Sequence, residues 1–145
     1  MRVELTTGAV LAFDFGEKRI GVATGDLALR IAHPLTTIES DDNNKRFAAI
    51  AALIAEWKPV LLVVGVPRHA DGGAHEIGRL AQRFARRLEG RFGIKVECVD
   101  ESLTSATAES RLRESGLRGQ KIKAALDAAA AREILEAWFG SANPR

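Results

Sequence analysis

The period of the apolar positions changes about a third of the way along this chain. Up to residue 38 they fall in short stretches broken by turn residues. The first runs from Ala9 to Phe15, and Gly16-Glu17-Lys18 then makes a hairpin turn into a second, Arg19 to Thr24. Gly25-Asp26 predicts the next turn. A third stretch, about Ile31 to Ile38, contains Pro34, which suits an edge strand or a bulge. Beyond Asp41-Asp42-Asn43, which offers helix caps, the spacing becomes helical: Phe47, Ile50, Ala51, Ile54 and Trp57 lead up to Pro59. Val60 to Val66 is continuously apolar, as in a strand covered on both faces. A helix follows from about Ala74 to Glu89, with Ile77, Leu80, Ala81, Phe84 and Leu88 on its inner stripe. The pattern closes with a strand from Ile94 to Val99 and helices over Thr104 to Glu114 and Lys121 to Phe139.

The order β-β-β-α-β-α-β-α-α predicts an α/β fold. Its mixed five-stranded sheet combines a three-strand antiparallel meander with two parallel strands, and helices lie on both faces. Right-handed crossovers make the first, fourth and fifth strands parallel, which puts the functional edge at their carboxyl ends. No Pro/Ser-rich linker, repeat or low-complexity tract divides the 145 residues, so a single domain over 1–145 is expected. A composition of 46% hydrophobic and 28% charged residues is that of a globular protein. With no secretory signal and no run of about 18 apolar residues, a cytoplasmic protein without membrane contact is expected. The one cysteine, Cys98, excludes an internal disulfide and reads as a small core residue.

Acids on four segments sit against this pattern. Asp14 ends an apolar strand, where an ionised carboxylate is costly unless it is paired or holds a metal. Gly16, Gly21, Lys18 and Arg19 around it suit an anionic ligand. The fourth strand runs into Pro67-Arg-His-Ala-Asp71-Gly-Gly73, and the fifth into Asp100-Glu101. Asp127 shares a helical stripe with Ala131, Ile134 and Trp138, so it faces inward. Each acid alone also fits a cap or an ion pair, for example Asp14 with Lys18 or Arg19. Three at one edge favour a hard divalent cation, Mg²⁺ or Mn²⁺, held by Asp14, Glu101 and Asp127, with Asp14 bridging two ions.

These residues also carry a resemblance. Asp14-Phe-Gly-Glu-Lys-Arg-Ile-Gly-Val-Ala23, Val64-Gly-Val-Pro67 with Asp71-Gly72, Asp100-Glu101-Ser-Leu-Thr104 and Asp127-Ala-Ala-Ala-Ala131 resemble, in order, the motifs of the YqgF family. Those are RNase H-like proteins linked to Holliday-junction resolution and to maturation of the 5′ end of pre-16S ribosomal RNA. The resemblance implies an RNase H-like fold, a metal-dependent nuclease, and Asp14, Glu101 and Asp127 as catalytic acids. Ser102 stands where the family usually has an arginine, which removes or moves a phosphate or scaffold contact.

The candidate substrate contacts are Lys18, Arg19, Asp71, Thr104 and Lys123. Lys18 and Arg19 lie just past Asp14. Arg111, Arg113, Arg118, Lys121 and Lys123 surround the Gly116–Gly119 turn, either as an arm that gathers phosphates or as a solvated loop. Arg79, Arg83, Arg86 and Arg87 oppose the apolar face of their helix and read as a solvated face, while both tryptophans fit core stripes. His69, Asp71 and His75 match no zinc spacing. No Gly-x-x-x-x-Gly-Lys-Ser/Thr loop occurs, and actin-like ATPases, which share Asp-x-Gly, need a far longer chain.

The leading expectation is a hydrolase acting on ester bonds: an endonuclease cutting structured RNA, pre-16S rRNA above all. Water attacks in line, activated by an ion on Asp14 and Asp127, while a second ion on Asp14 and Glu101 stabilises the leaving oxygen. The alternatives are a Holliday-junction resolvase acting on branched DNA and a non-catalytic nucleic-acid binding factor. Both monomer and homodimer stay open.

Overall fold

Strand β1 (Ala9–Phe15) is apolar on both faces, and that determines its place. Val10, Leu11, Ala12 and Phe13 are fully buried, as in a central strand. The computed structural model describes residues 7–67, 73–100 and 119–141. Within it β2 (Arg19–Asp26) returns antiparallel to β1, and β3 (Ile31–Glu39) completes the meander. On the other side β1 pairs parallel with β4 (Leu61–Val66), and β4 pairs parallel with β5 (Val96–Asp100). The strand order β3-β2-β1-β4-β5 gives the expected mixed five-stranded sheet, with the first, fourth and fifth strands parallel.

The meander departs from the predicted pattern at one turn. Gly25 and Asp26, expected as turn residues, are the last two positions of β2 and pair with Ala32 and Ile31. The chain reverses over 27–30 instead. The Asp26 carboxylate accepts the Leu29 N–H at 2.9 Å, and Arg30, at φ 55°, donates its N–H to the Asp26 carbonyl. An aspartate can thus end a strand and cap the turn from that position. Pro34 lies on edge strand β3, where the pairing register shifts opposite Val22 and Ala23.

Helices cover both faces. On one, α1 (Asn43–Trp57) and α2 (Gly73–Phe92) pack on Leu11, Phe13, Ile20, Val22, Leu62, Val64 and Val66 through Phe47, Ile50, Ala81, Phe84 and Leu88. Asp42 caps α1 by accepting the N–H groups of Asn44 and Lys45. Lys58 ends it in the left-handed conformation one residue before Pro59. On the other face α3 (Gly119–Ser141) packs on Val10, Ala12, Ala23, Leu61, Val63 and Val99 through Ala131, Ile134, Leu135 and Phe139. Trp138 adds a hydrogen bond from Nε1 to Glu97 Oε1 on β5, at 3.1 Å. α2 and α3 run slightly beyond their predicted ends. The helix expected over 104–114 lies outside the described residues. No helix among the described residues is long and apolar enough to cross a membrane.

Candidate functional site

Strand alternation puts Asp14 on the α3 face, with Val10 and Ala12, while Leu11 and Phe13 point the other way. The pairing register gives its neighbours in the sheet. Gly21 of β2 lies opposite Asp14 on one side and Gly65 of β4 on the other, with Thr37 and Val99 next outward. A half-buried carboxylate therefore stands between two positions without side chains, at the carboxyl end of the parallel strands. Gly65 belongs to the Val64-Gly-Val-Pro67 motif, but the sequence assigned it no role, although a glycine inside a buried strand signals close approach of backbone or ligand.

Asp127 comes to the same place from the helix. A Cβ on Gly21 would overlap the backbone carbonyl of Asp127, so the first half of α3 rests directly on β2. The other α3-facing positions of β2 are also small, Ala23 and Gly25, and α3 answers with Ala128 and Ala131. Arg19 shares that face of β2, and its Nε donates to Asp127 Oδ2 at 2.6 Å. The pair is partly open to solvent, 34% and 22% exposed for the two side chains. Arg19 thus holds an acid of the site rather than extending from the hairpin tip, whereas Lys18 is exposed there.

The β1–β2 hairpin is held from behind by a residue the sequence reading passed over. Arg46, on the first turn of α1, is 4% exposed. Its Nε donates to the Ser40 carbonyl at 2.6 Å, and a terminal nitrogen donates to the Gly16 carbonyl. Its guanidinium also lies over the Phe15 ring, 5.3 Å from the centroid. Burial lowers its pKa, and nearby Asp41 acts in the opposite sense. An arginine, permanently charged and rich in donors, tolerates that position. The hairpin next to Asp14 is thereby tied to the opposite face of the sheet.

Asp14, Arg19 and Asp127 are brought together. Among the described residues no three His, Cys, Asp or Glu side chains form a metal-binding group. Glu101, Asp71 and Thr104 lie outside the described residues, as do His69 and the predicted arm at Arg111, Arg113 and Arg118. Lys123 falls within α3. Two carboxylates, one of them flanked in the sheet by glycines, form a hard-oxygen donor set, which fits a divalent cation such as Mg²⁺ or Mn²⁺.

Comparison with known proteins identifies the family. The model of the family RuvX, described as Holliday junction resolvase, matches residues 8–141. The chain belongs to the RuvX family. That bears out the YqgF-type resemblance of its motifs. One relative of this RuvX chain, from Dechloromonas aromatica, is 59% identical over 134 residues, covering 92% of each chain. Another, from Methylobacillus flagellatus, is 56% identical over 132 residues, 91% of this chain and 90% of the relative. Both carry the name "Putative pre-16S rRNA nuclease". Among solved structures, Thermus thermophilus RuvC in complex with a Holliday junction substrate aligns with TM-score 0.58 at 15% identity. It covers 93% of this chain and 95% of that one, and the match supports the RNase H-like fold.

Proposed function

We propose that this chain is a single-domain, metal-dependent endonuclease that cuts structured RNA at the 5′ side of the pre-16S ribosomal precursor, in the cytoplasm. The observation that carries this reading is the convergence of Asp14 and Asp127 on one face of the sheet, with Gly21 and Gly65 flanking Asp14. The names of relatives more than 50% identical support the substrate.

Asp14, Asp127 and Glu101 would hold Mg²⁺ or Mn²⁺, Asp14 serving two ions; in sequence Glu101 stands two residues after Val99, which packs on the α3 face. Such ions, when bound, favour deprotonation of the attacking water and offset charge on the leaving oxygen. Gly65 puts no side chain beside Asp14 in the sheet, while Gly21 admits the Asp127 backbone. Arg19 keeps the Asp127 carboxylate oriented and charge-compensated through Nε, and its other N–H groups would donate to a phosphate oxygen. Lys18 at the hairpin tip, with Asp71, Thr104 and Lys123, would complete the contacts to the substrate strand.

Wild type and Asp14→Asn, compared on pre-16S RNA and on a four-way DNA junction with each ion, test the reading. Metal-dependent cleavage of the RNA is expected, falling about 1,000-fold or more in Asp14→Asn, as when groups that act only in the transition state are removed. Equal cleavage by the two proteins would falsify the assignment of Asp14. The family description favours one second reading, junction resolution, in which paired symmetric cuts in DNA replace RNA cleavage and a homodimer is required.

A further inference from the structure

On the face of the sheet away from Asp14, a cavity of about 140 Å³ opens between α1 and α2. Its lining is Phe15, Asn43, Phe47, Leu80, Phe84, Arg83 and Arg87. The rings form one cluster: Phe15 and Phe84 have centroids 5.0 Å apart, and Phe47 lies 6.0 Å from Phe84. Phe47 and Phe84 are nearly buried, whereas Phe15 and Leu80 are only half-buried and so offer apolar surface to a visitor. The rim is cationic. Arg83 and Arg87 stand one turn apart on α2, both exposed, and among the described residues no carboxylate lines the cavity. The carboxylate of Asp42 is engaged in capping α1.

We propose that this cavity takes one unstacked base of a single-stranded stretch of the RNA substrate, with Arg83 and Arg87 on the phosphates beside it. The inference rests on the nuclease reading and deepens it. The size suits a single ring, since a cavity of roughly 150 Å³ accommodates benzene. Single strands are commonly gripped by an aromatic face for the base and cations for the backbone, without reading sequence. Position argues the same way. Phe15 directly follows Asp14 in β1, so a strand cut at Asp14 has only to cross the sheet edge to reach the cavity. The arginines of α2 that sequence alone assigned to a solvated face thus include two at the mouth of an aromatic site.

The test uses the full chain and a uridine-rich single-stranded RNA carrying 4-thiouridine, with Ca²⁺ in place of Mg²⁺. Photocrosslinks are expected at Phe15, Phe47, Leu80 or Phe84, and Leu80→Trp, which fills the cavity, removes them. Arg83→Gln/Arg87→Gln is expected to weaken RNA binding about tenfold and to lower the salt dependence by about two phosphate contacts. Both arginines are exposed, and an unchanged melting curve shows the fold is kept. Crosslinks confined to other residues overturn the proposal even if the arginine variant binds weakly, since the arginines then form only a diffuse phosphate surface. Unchanged binding in that variant overturns it as well. Neither readout needs turnover, so Asp14→Asn reports separately on the nuclease reading.

Discussion

The face of the sheet under α1 and α2 is packed with large side chains, whereas the face under α3 sets a strip of small ones, along β2 and the first half of α3, beside larger ones such as Ile134, Leu135 and Phe139. On the first, Phe13, Phe47, Phe84, Ile50 and Leu88 interlock. A fully buried side chain of that size contributes roughly 1.5–3 kcal/mol, so this face supplies much of the stability. On the second, Ala12, Ala23, Gly21, Gly25, Ala128 and Ala131 let helix and sheet come within backbone contact. Those small residues bury little apolar area themselves, but at Gly21 they fix the backbones closely. That is where Asp14 and Asp127 stand. A site that must hold carboxylates at set positions gains more from short rigid contacts than from side chains that can repack. The difference in residue size is therefore a division of labour between stability and placement.

The largest expected effect breaks the small face. Gly21→Val forces a branched side chain into the Asp127 carbonyl, which is backbone and cannot swing aside. A loss of more than about 3 kcal/mol in urea denaturation is expected, with α3 displaced and cleavage abolished. A midpoint within error of wild type would mean that α3 does not need this approach. On the large face, Leu88→Ala leaves a cavity under α2 and is expected to cost about 3 kcal/mol. Here the folded fraction at low temperature retains metal-dependent cleavage, because Leu88 lies on the face of the sheet away from Asp14 and Asp127. Equal loss of activity in the two variants would remove the distinction between the faces.

Arg46 sharpens the comparison, because it connects the two faces. Arg46→Met keeps the apolar length over Phe15 but loses the donors to the Ser40 and Gly16 carbonyls. The expected cost is about 2 kcal/mol, the range for hydrogen bonds from a charged group. The hairpin beside Asp14 is loosened as well, so kcat falls about tenfold with KM little changed. A lower melting temperature with unaltered kcat would assign Arg46 to stability alone.

The architecture was legible because each strand carries its own signal. The buried run of β1 and β4, the Pro34 interruption and the cap at Asp42 are all local, and each appears where expected. The β2 turn was misplaced by two residues because Gly-Asp signals a turn whether it lies in the turn or ends the strand before it. Asp14 stood out through the cost of burying a charge, and Asp127 through helical phase. What sequence could not give were contacts across long separations. Arg19 meets Asp127 108 positions away, and Arg46 reaches Gly16 across 30. Gly65 stood within a motif of an apolar strand, but only the register with Asp14 gives it a role.

The smallest effect on stability, and the finest probe of the small face, comes from Arg19. Its ion pair with Asp127 is partly exposed, and such pairs contribute about 0–1 kcal/mol, so Arg19→Gln should melt nearly as wild type does. Ligand binding is a different matter. In wild type a cation arriving at Asp127 must share that carboxylate with the guanidinium, whose positive charge opposes it at close range. Removing the guanidinium is expected to tighten Mn²⁺ binding several-fold by calorimetry, and to weaken RNA binding because one phosphate partner is gone. The two shifts have opposite sign, which a general loosening of the site cannot produce. If Mn²⁺ affinity falls together with RNA affinity, Arg19 supports the carboxylates structurally. If Mn²⁺ tightens while RNA weakens, the same guanidinium balances the acid in one state and the substrate phosphate in the other.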